Sequence, residues 1–224
     1  DTRDSILKRL KLIYSQDELN IPSLILTPIS KFWEFVVNRQ ILGGEWEKMP
    51  VPIICIGNIV IGGAGKTPVT QAIQKILNGM GLKPHIVSRG YGGKLKEPTY
   101  VSETSTFSDV GDEPILLSKT GPVLVAKDRK KGIHKACENG ANVILLDDGF
   151  QNTSTAKDLS LVVIDSKILF GNQRLIPSGP LREPIRSGLN RANAIVLVDH
   201  MRSKKSKPPN FDYPPNIPII KAKI

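Results

Sequence analysis

The run Val60-Ile61-Gly62-Gly63-Ala64-Gly65-Lys66-Thr67 carries the residue types that hold a phosphate. Glycines let successive backbone N–H groups turn toward an anion, and a helix opening at Lys66 aims its positive end at the same point. Lys66 then reaches the β- and γ-phosphates, and Thr67 offers its hydroxyl to Mg²⁺. Pro68 falls where a helix start needs no N–H. The general pattern has a further glycine where Val60 stands, but the Gly-Gly-x-Gly-Lys-Thr core is intact. The chemistry this loop suits is phosphoryl transfer from ATP, with Val60 to Thr67 as the nucleotide-binding residues.

Two acidic motifs could complete such a site. Val143–Leu146 is an apolar run that ends in Asp147-Asp148-Gly149-Phe150-Gln151. Adjacent carboxylates at one strand end repel unless a cation lies beside them, so Asp147 and Asp148 are expected on the metal side of the nucleotide. An ordinary Asp-Asp-Gly turn is the alternative. Val110-Gly111-Asp112-Glu113-Pro114 precedes a helix-like run. Asp112 or Glu113 could accept the proton of an acceptor hydroxyl, although Glu-Pro also makes a good helix start.

Cationic loops surround these acids in sequence. Ser88-Arg89-Gly90-Tyr91-Gly92-Gly93 follows a strand, so Arg89 could contact phosphate and Tyr91 could stack on a sugar or base; a flexible connector is equally compatible. Phe170–Pro184 is dense in Gly and Pro beside Asn172, Arg174 and Arg182, which suggests a rigid segment presenting cations to an anionic substrate.

The elements that must position these residues alternate. Strands are expected at Val51–Ile56, His85–Ser88, Val123–Ala126, Val143–Leu146, Leu161–Ile164 and Ala194–Val198, with helices at Lys66–Met80 and Arg129–Glu138. Continuous apolar strands separated by helices require a mostly parallel sheet covered on both faces, an α/β fold of the P-loop NTPase kind. Ahead of it, Ile6, Leu7, Leu10, Ile13 and Tyr14 are spaced as an amphipathic helix backed by Lys8, Arg9 and Lys11, and Ile29–Val37 is a second, aromatic-rich helical segment. Interfacial membrane binding and packing on the parent domain both fit this pair. The expected division is a helical membrane-associating segment at 1–46, a kinase core at 47–200, and a basic linker with the start of a smaller C-terminal lobe at 201–224. The strand-like run Ile217–Ile220 closes the sequence, as if more followed.

Composition narrows the class. At 224 residues with 40% hydrophobic content the chain can bury a full core. A net charge of +10 favours anionic partners without choosing among nucleic acid, anionic lipid and phosphorylated substrate. Basic residues here lack interleaved aromatic platforms, which argues against a nucleic-acid module. Cys55 and Cys137 lack metal or redox spacing and read as buried thiols of a reducing compartment. Neither a signal-peptide pattern nor a span of about 20 apolar residues is present, so the chain is expected to lie on a membrane rather than cross it.

Taken in order, Gly57-Asn58, Gly62–Pro68, Ser88–Gly92, Gly111–Pro114, Asp147–Gln151 and Leu175–Glu183 resemble the tetraacyldisaccharide 4′-kinases, the lipid A 4′-kinases of Gram-negative bacteria. The resemblance implies transfer of the ATP γ-phosphoryl group to the 4′-hydroxyl of a tetraacylated glucosamine disaccharide 1-phosphate, at the cytoplasmic face of the inner membrane, by a peripheral enzyme with no obligate protein partner. It implies Lys66 and Thr67 for nucleotide and Mg²⁺, Asp112 as base, and Glu113, Asp147 and Asp148 beside Thr67 as metal-side groups. Arg129, Arg182 and Glu183 would serve the transition state, and Arg89, Tyr91, Asn172 and Arg182 the substrate. The family also has a C-terminal lobe with a histidine motif that Asp199-His200 does not match, so without that lobe ATP binding with poor turnover is expected. The rival is a membrane-associated ATPase switch with a deviant phosphate loop, but Ile61 stands where its signature lysine would be.

Overall fold

The computed structural model describes residues 21–95, 97–200 and 213–224, so the expected helix at 6–14 lies outside the described residues. Helices α1 (Ile21–Ile25) and α2 (Thr27–Leu42) lead into strand β1 (Ile53–Gly57) and helix α3 (Lys66–Gly79). Then follow β2 (Pro84–Ser88), β3 (Thr99–Tyr100), α4 (Phe107–Val110), α5 (Asp112–Leu117), β4 (Val123–Val125) and α6 (Arg129–Glu138). The chain continues through β5 (Val143–Asp147), β6 (Leu159–Asp165), α7 (Ile185–Asn190), β7 (Ala194–Asp199) and β8 (Ile219–Lys223).

All eight strands form one sheet in the order β3-β4-β2-β5-β1-β6-β7-β8. Every pairing is parallel except β3 with β4. Strand side chains alternate between two cores. Ile53, Cys55, Ile144, Leu146, Val162 and Ile164 meet Ile133 and Ala136 of α6 and Leu189 of α7 on one face. Ile56, Leu145, Leu161 and Val163 meet Val69 and Leu77 of α3 and Leu117 of α5 on the other. Central strands buried on both faces explain the unbroken apolar runs.

Each expected strand is present within one or two residues, and the run at 217–220 becomes β8, which extends the same sheet beside β7. The antiparallel β3 was not expected; at two residues on the sheet edge it has too little sequence to show a period. Cys55 is buried and Cys137 partly so, both as free thiols.

This order puts β1 between β5 and β6, so the loop leaving β1 and the acids ending β5 emerge side by side. Ile56 is in register with Asp147, and the Asp148 N–H donates to Ile56 O at 2.9 Å. Gly57 allows the close approach, since a Cβ there would lie 2.5 Å from the Phe150 Cβ.

Candidate active site

The loop between β1 and α3 is open on its outer side. Gly62 has φ +112°, Gly65 has φ +82°, and a Cβ at Gly62 or Gly63 would meet nothing within 4 Å. Among the described residues no side chain caps α3 at Gly65, so the first N–H groups of a fourteen-residue helix are directed at the loop. Ile61 is different: its N–H donates to Pro180 O at 2.8 Å, which ties the loop's first half to the 170–184 segment. Buried Val60 bridges Leu181, and the Arg182 N–H donates to Ile59 O at 2.8 Å.

Lys66 is 7% exposed, with its Nζ 3.6 Å from Asp148 Oδ1. Arg182 Nη1 lies 2.9 Å and 3.1 Å from the two Asp148 oxygens. Arg129, itself buried, donates from Nη2 to Asp148 O at 2.8 Å. Asp148 adopts φ +49°, a left-handed backbone that costs a non-glycine residue on the order of 1 kcal/mol or more. Its N–H, carbonyl and carboxylate are all engaged, and these contacts hold the strained turn in place.

Asp147 points elsewhere. It is 2% exposed and accepts from Ser88 Oγ at 3.2 Å. Burial, then the nearby charges of Glu113 and Asp148, push its carboxyl up to about 7, against the pull of Lys66 and Ser88. The folded value lies above the unfolded one of about 3.9, so the native state binds the extra proton between those values. Stability from this group is full below about pH 4 and falls as pH rises through about 7. Asp147→Asn is expected to flatten that decline and raise the melting temperature of the ligand-free chain above pH 7 by several degrees, as measured by thermal melts across pH.

The Arg89–Gly93 loop crosses the Gly111 turn, where φ is +88° and a Cβ would stand 2.5 Å from Tyr91 O. Arg89, Tyr91, Asp112 and Glu113 are all exposed around this crossing. The Asp112 carboxylate accepts only its neighbour Glu113 N–H at 3.0 Å among the described hydrogen bonds, while Glu113 is close enough to raise Asp147.

Glu183 and Asn172 are engaged by neighbouring protein groups. Glu183 is fully buried and accepts from Gln151 Nε2 at 2.9 Å and from Arg191 Nη2. Gln151 also donates to Asn58 O at 2.8 Å and accepts from Arg182 at 3.3 Å. Glu183 is thus linked to Arg182 through Gln151. The Asn172 amide donates to Ser178 O at 2.9 Å and accepts the Arg174 N–H at 3.2 Å, so it shapes the segment that carries Arg182. Gln151, Asn58 and Arg191 were not among the expected site residues. His200 pairs with Asp165, Nε2 to Oδ2 at 2.9 Å.

Helix α2 borders this constellation. Ser30 Oγ donates to Leu175 O at 2.8 Å and lies 2.8 Å from the Ser178 hydroxyl, and Trp33 Nε1 donates to Arg182 O at 3.2 Å. Ile25, Ile29, Phe32, Phe35 and Leu42, spaced three, four or seven apart, are 56–86% exposed. Among the described residues no helix is long and apolar enough to cross a membrane.

A profile of the family Tetraacyldisaccharide-1-P 4′-kinase matches residues 22–223. The chain belongs to this family. Tetraacyldisaccharide 4′-kinases of Rhodospirillum centenum and Dinoroseobacter shibae are 48% and 46% identical to it over 181 and 183 residues, 80% and 81% of this chain but 54% of each relative. The chain thus spans about half the length of the curated relatives it matches. A crystal structure of the "apo" form of the kinase LpxK from Aquifex aeolicus in complex with ATP superposes with a TM-score of 0.76 at 32% identity, covering 90% of this chain and 64% of that one. The tetraacyldisaccharide 4′-kinase fold is therefore the fold of this chain.

Proposed function

We propose that the chain is the phosphoryl-transfer part of a lipid A 4′-kinase, moving the γ-phosphoryl group of ATP to the 4′-hydroxyl of a tetraacylated glucosamine disaccharide 1-phosphate. The observation that carries this reading is the meeting at Arg182 of two surfaces. Its guanidinium shares Asp148 with Lys66 of the phosphate loop, and its carbonyl is held by Trp33 on a helix with an exposed apolar stripe. An amphiphile anchored on that stripe would present its headgroup beside the nucleotide.

In this reading the amides from Gly62 onward, Lys66 and the α3 N-terminus bind the phosphates, and Arg182 and Arg129 balance charge that builds on the transferred group. Asp112 accepts the acceptor hydroxyl's proton, and Arg89 and Tyr91 flank the sugar. Among the described residues no cluster of three or more acidic, His or Cys groups forms a cation cage. That suits Mg²⁺, which is usually held by one or two carboxylates together with substrate phosphates. Of the expected metal-side groups Thr67, Glu113, Asp147 and Asp148, one or two carboxylates would hold it, and Asp147 fits because a cation would relieve its buried, crowded charge. When bound, the ion would neutralise phosphate charge. The division into a membrane-associating segment at 1–46 and a core at 47–200 belongs to the same proposal, with β8 counted to that core because it pairs with β7 rather than starting a separate lobe, as does peripheral attachment to the cytoplasmic face of the inner membrane.

The test is an ATP-dependent phosphate-transfer assay with a membrane-lipid extract, with the product identified by mass. A phosphorylated disaccharide lipid is expected; ATP consumption with no phosphorylated lipid would favour the ATPase switch. The stripe makes a separate prediction. Burying one Phe side chain is worth about 1.5–3 kcal/mol, so Phe32→Glu and Phe35→Glu are each expected to weaken binding to anionic liposomes by about tenfold or more while nucleotide affinity holds. Unchanged co-sedimentation would instead leave α2 as a packing element.

A further inference from the structure

On the α6 and α7 face of the sheet, Trp46, Phe150, Ala156, Lys157, Ser160 and Arg191 line a cavity of about 320 Å³. It is separate from the phosphate loop. Its residues come from the segment before β1, the β5–β6 connection, the start of β6 and the turn after α7, and none of them belongs to the nucleotide site. Half of the wall is ring and methyl, and the other half is two cations and the Ser160 hydroxyl.

The cations exceed the carboxylates that could neutralise them. Arg191 pairs with Glu183, yet its Nε is buried without a partner among the described residues. Its guanidinium carbon sits 4.6 Å from the Phe150 ring centroid. Lys157 Nζ lies 4.7 Å from the Trp46 ring and donates to Phe150 O at 3.4 Å and to Asn152 O. Among the described residues no carboxylate stands within ion-pair distance of Lys157. A partly buried ammonium held by two carbonyls and a ring face is short of negative charge.

We propose that this cavity binds a small organic anion, its carboxylate or phosphate held between Lys157 and Arg191 and its apolar body against Trp46 and Phe150. The occupant competes with Glu183 for Arg191. Because Glu183 also receives Gln151, which contacts Arg182, occupancy reaches the edge of the active site through three side chains.

Lys157 makes the binding depend on pH. Burial lowers its ammonium to about 8; Arg191 and Arg129 push the same way, and Cys55 and Glu183 oppose them. Below about pH 8 the cation is present, and above it the anion loses its partner.

Benzoate is a suitable probe, and Trp46 is a built-in reporter. In Trp33→Phe protein Trp46 is the single remaining tryptophan, so its fluorescence can be titrated with benzoate under saturating non-hydrolysable ATP analogue. A saturable change at millimolar benzoate is expected, with affinity falling up to tenfold per pH unit above pH 8. Lys157→Met should weaken it at least tenfold, and Glu183→Gln, which removes the competing carboxylate, should tighten it several-fold. The proposal is overturned by absence of a saturable signal, by equal affinity in Lys157→Met protein that melts as the parent does, or by flat affinity from pH 7 to 9. The pH profile needs no change at Lys157 and so decides the matter even where that variant does not fold.

Discussion

Lys66→Ala is expected to abolish lipid phosphorylation, lowering kcat/KM by about 10²- to 10³-fold or more, which is about 3–4 kcal/mol of transition-state stabilisation. The reason is geometric. Lys66 is the only loop side chain carrying a full positive charge, it is 7% exposed, and it emerges from the first turn of α3 beside Asp148. Asp148 keeps both contacts to Arg182 after the change, so its turn should survive and the melting temperature should move little. Lys66→Arg keeps the charge on a wider, planar group and should restore only part of the loss. Kinetics and thermal melts on the same preparations separate loss of chemistry from loss of fold. Wild-type-like turnover in the alanine variant would remove the phosphate-loop assignment.

How much of this site was legible in sequence depended on whether a residue's role is local. The loop Gly62–Thr67 announces itself because glycines, lysine and threonine must be consecutive to cradle a phosphate, and the strand before it and the helix after it have their own periods. Asp147-Asp148 was legible for the same reason: paired acids at the end of an apolar strand are a local anomaly. The expected helix Arg129–Glu138 is present with those bounds, and in the structure Asp128 caps its start by accepting the Lys131 N–H.

The supporting groups were not legible. Arg191 lies in an ordinary polar turn, and only the fold brings it to Glu183 and Phe150. Glu183 was expected beside the transition state only through the family resemblance; in the structure its carboxylate is fully buried and engaged by Gln151 and Arg191, a pairing that no local pattern in the sequence announces. Asn172 stands in a loop whose composition suggests substrate contact, but an irregular segment has many backbone groups to satisfy, and its amide satisfies two of them. The φ of +49° at Asp148 leaves no mark in composition beyond the tolerance of Asp for that region.

Separate substitutions at the two acidic motifs should fail in different ways. Asp112 is exposed, outside the Lys66–Asp148–Arg182 cluster, and bonded only to its neighbour's N–H among the described hydrogen bonds. If it takes the proton of the 4′-hydroxyl, Asp112→Ala removes an interaction made only in the transition state. kcat should then fall by about 10²- to 10⁴-fold, with nucleotide affinity nearly intact and no recovery at high Mg²⁺. Asp147 is the opposite case: its carboxyl is buried, crowded by Glu113 and Asp148, and relieved by a cation. Asp147→Asn should weaken Mg·ATP binding and shift the Mg²⁺ requirement upward, because a carboxylate that holds or orients the ion contributes to ground and transition states alike. Asp148→Asn should likewise shift the Mg²⁺ requirement upward and in addition loosen Arg182, whose ion pair it removes. Titrating Mg²⁺ against turnover and nucleotide affinity in all three variants distinguishes the roles. Rescue of Asp112→Ala by added Mg²⁺, with Asp147→Asn inactive yet normal in Mg·ATP affinity, would exchange the two assignments.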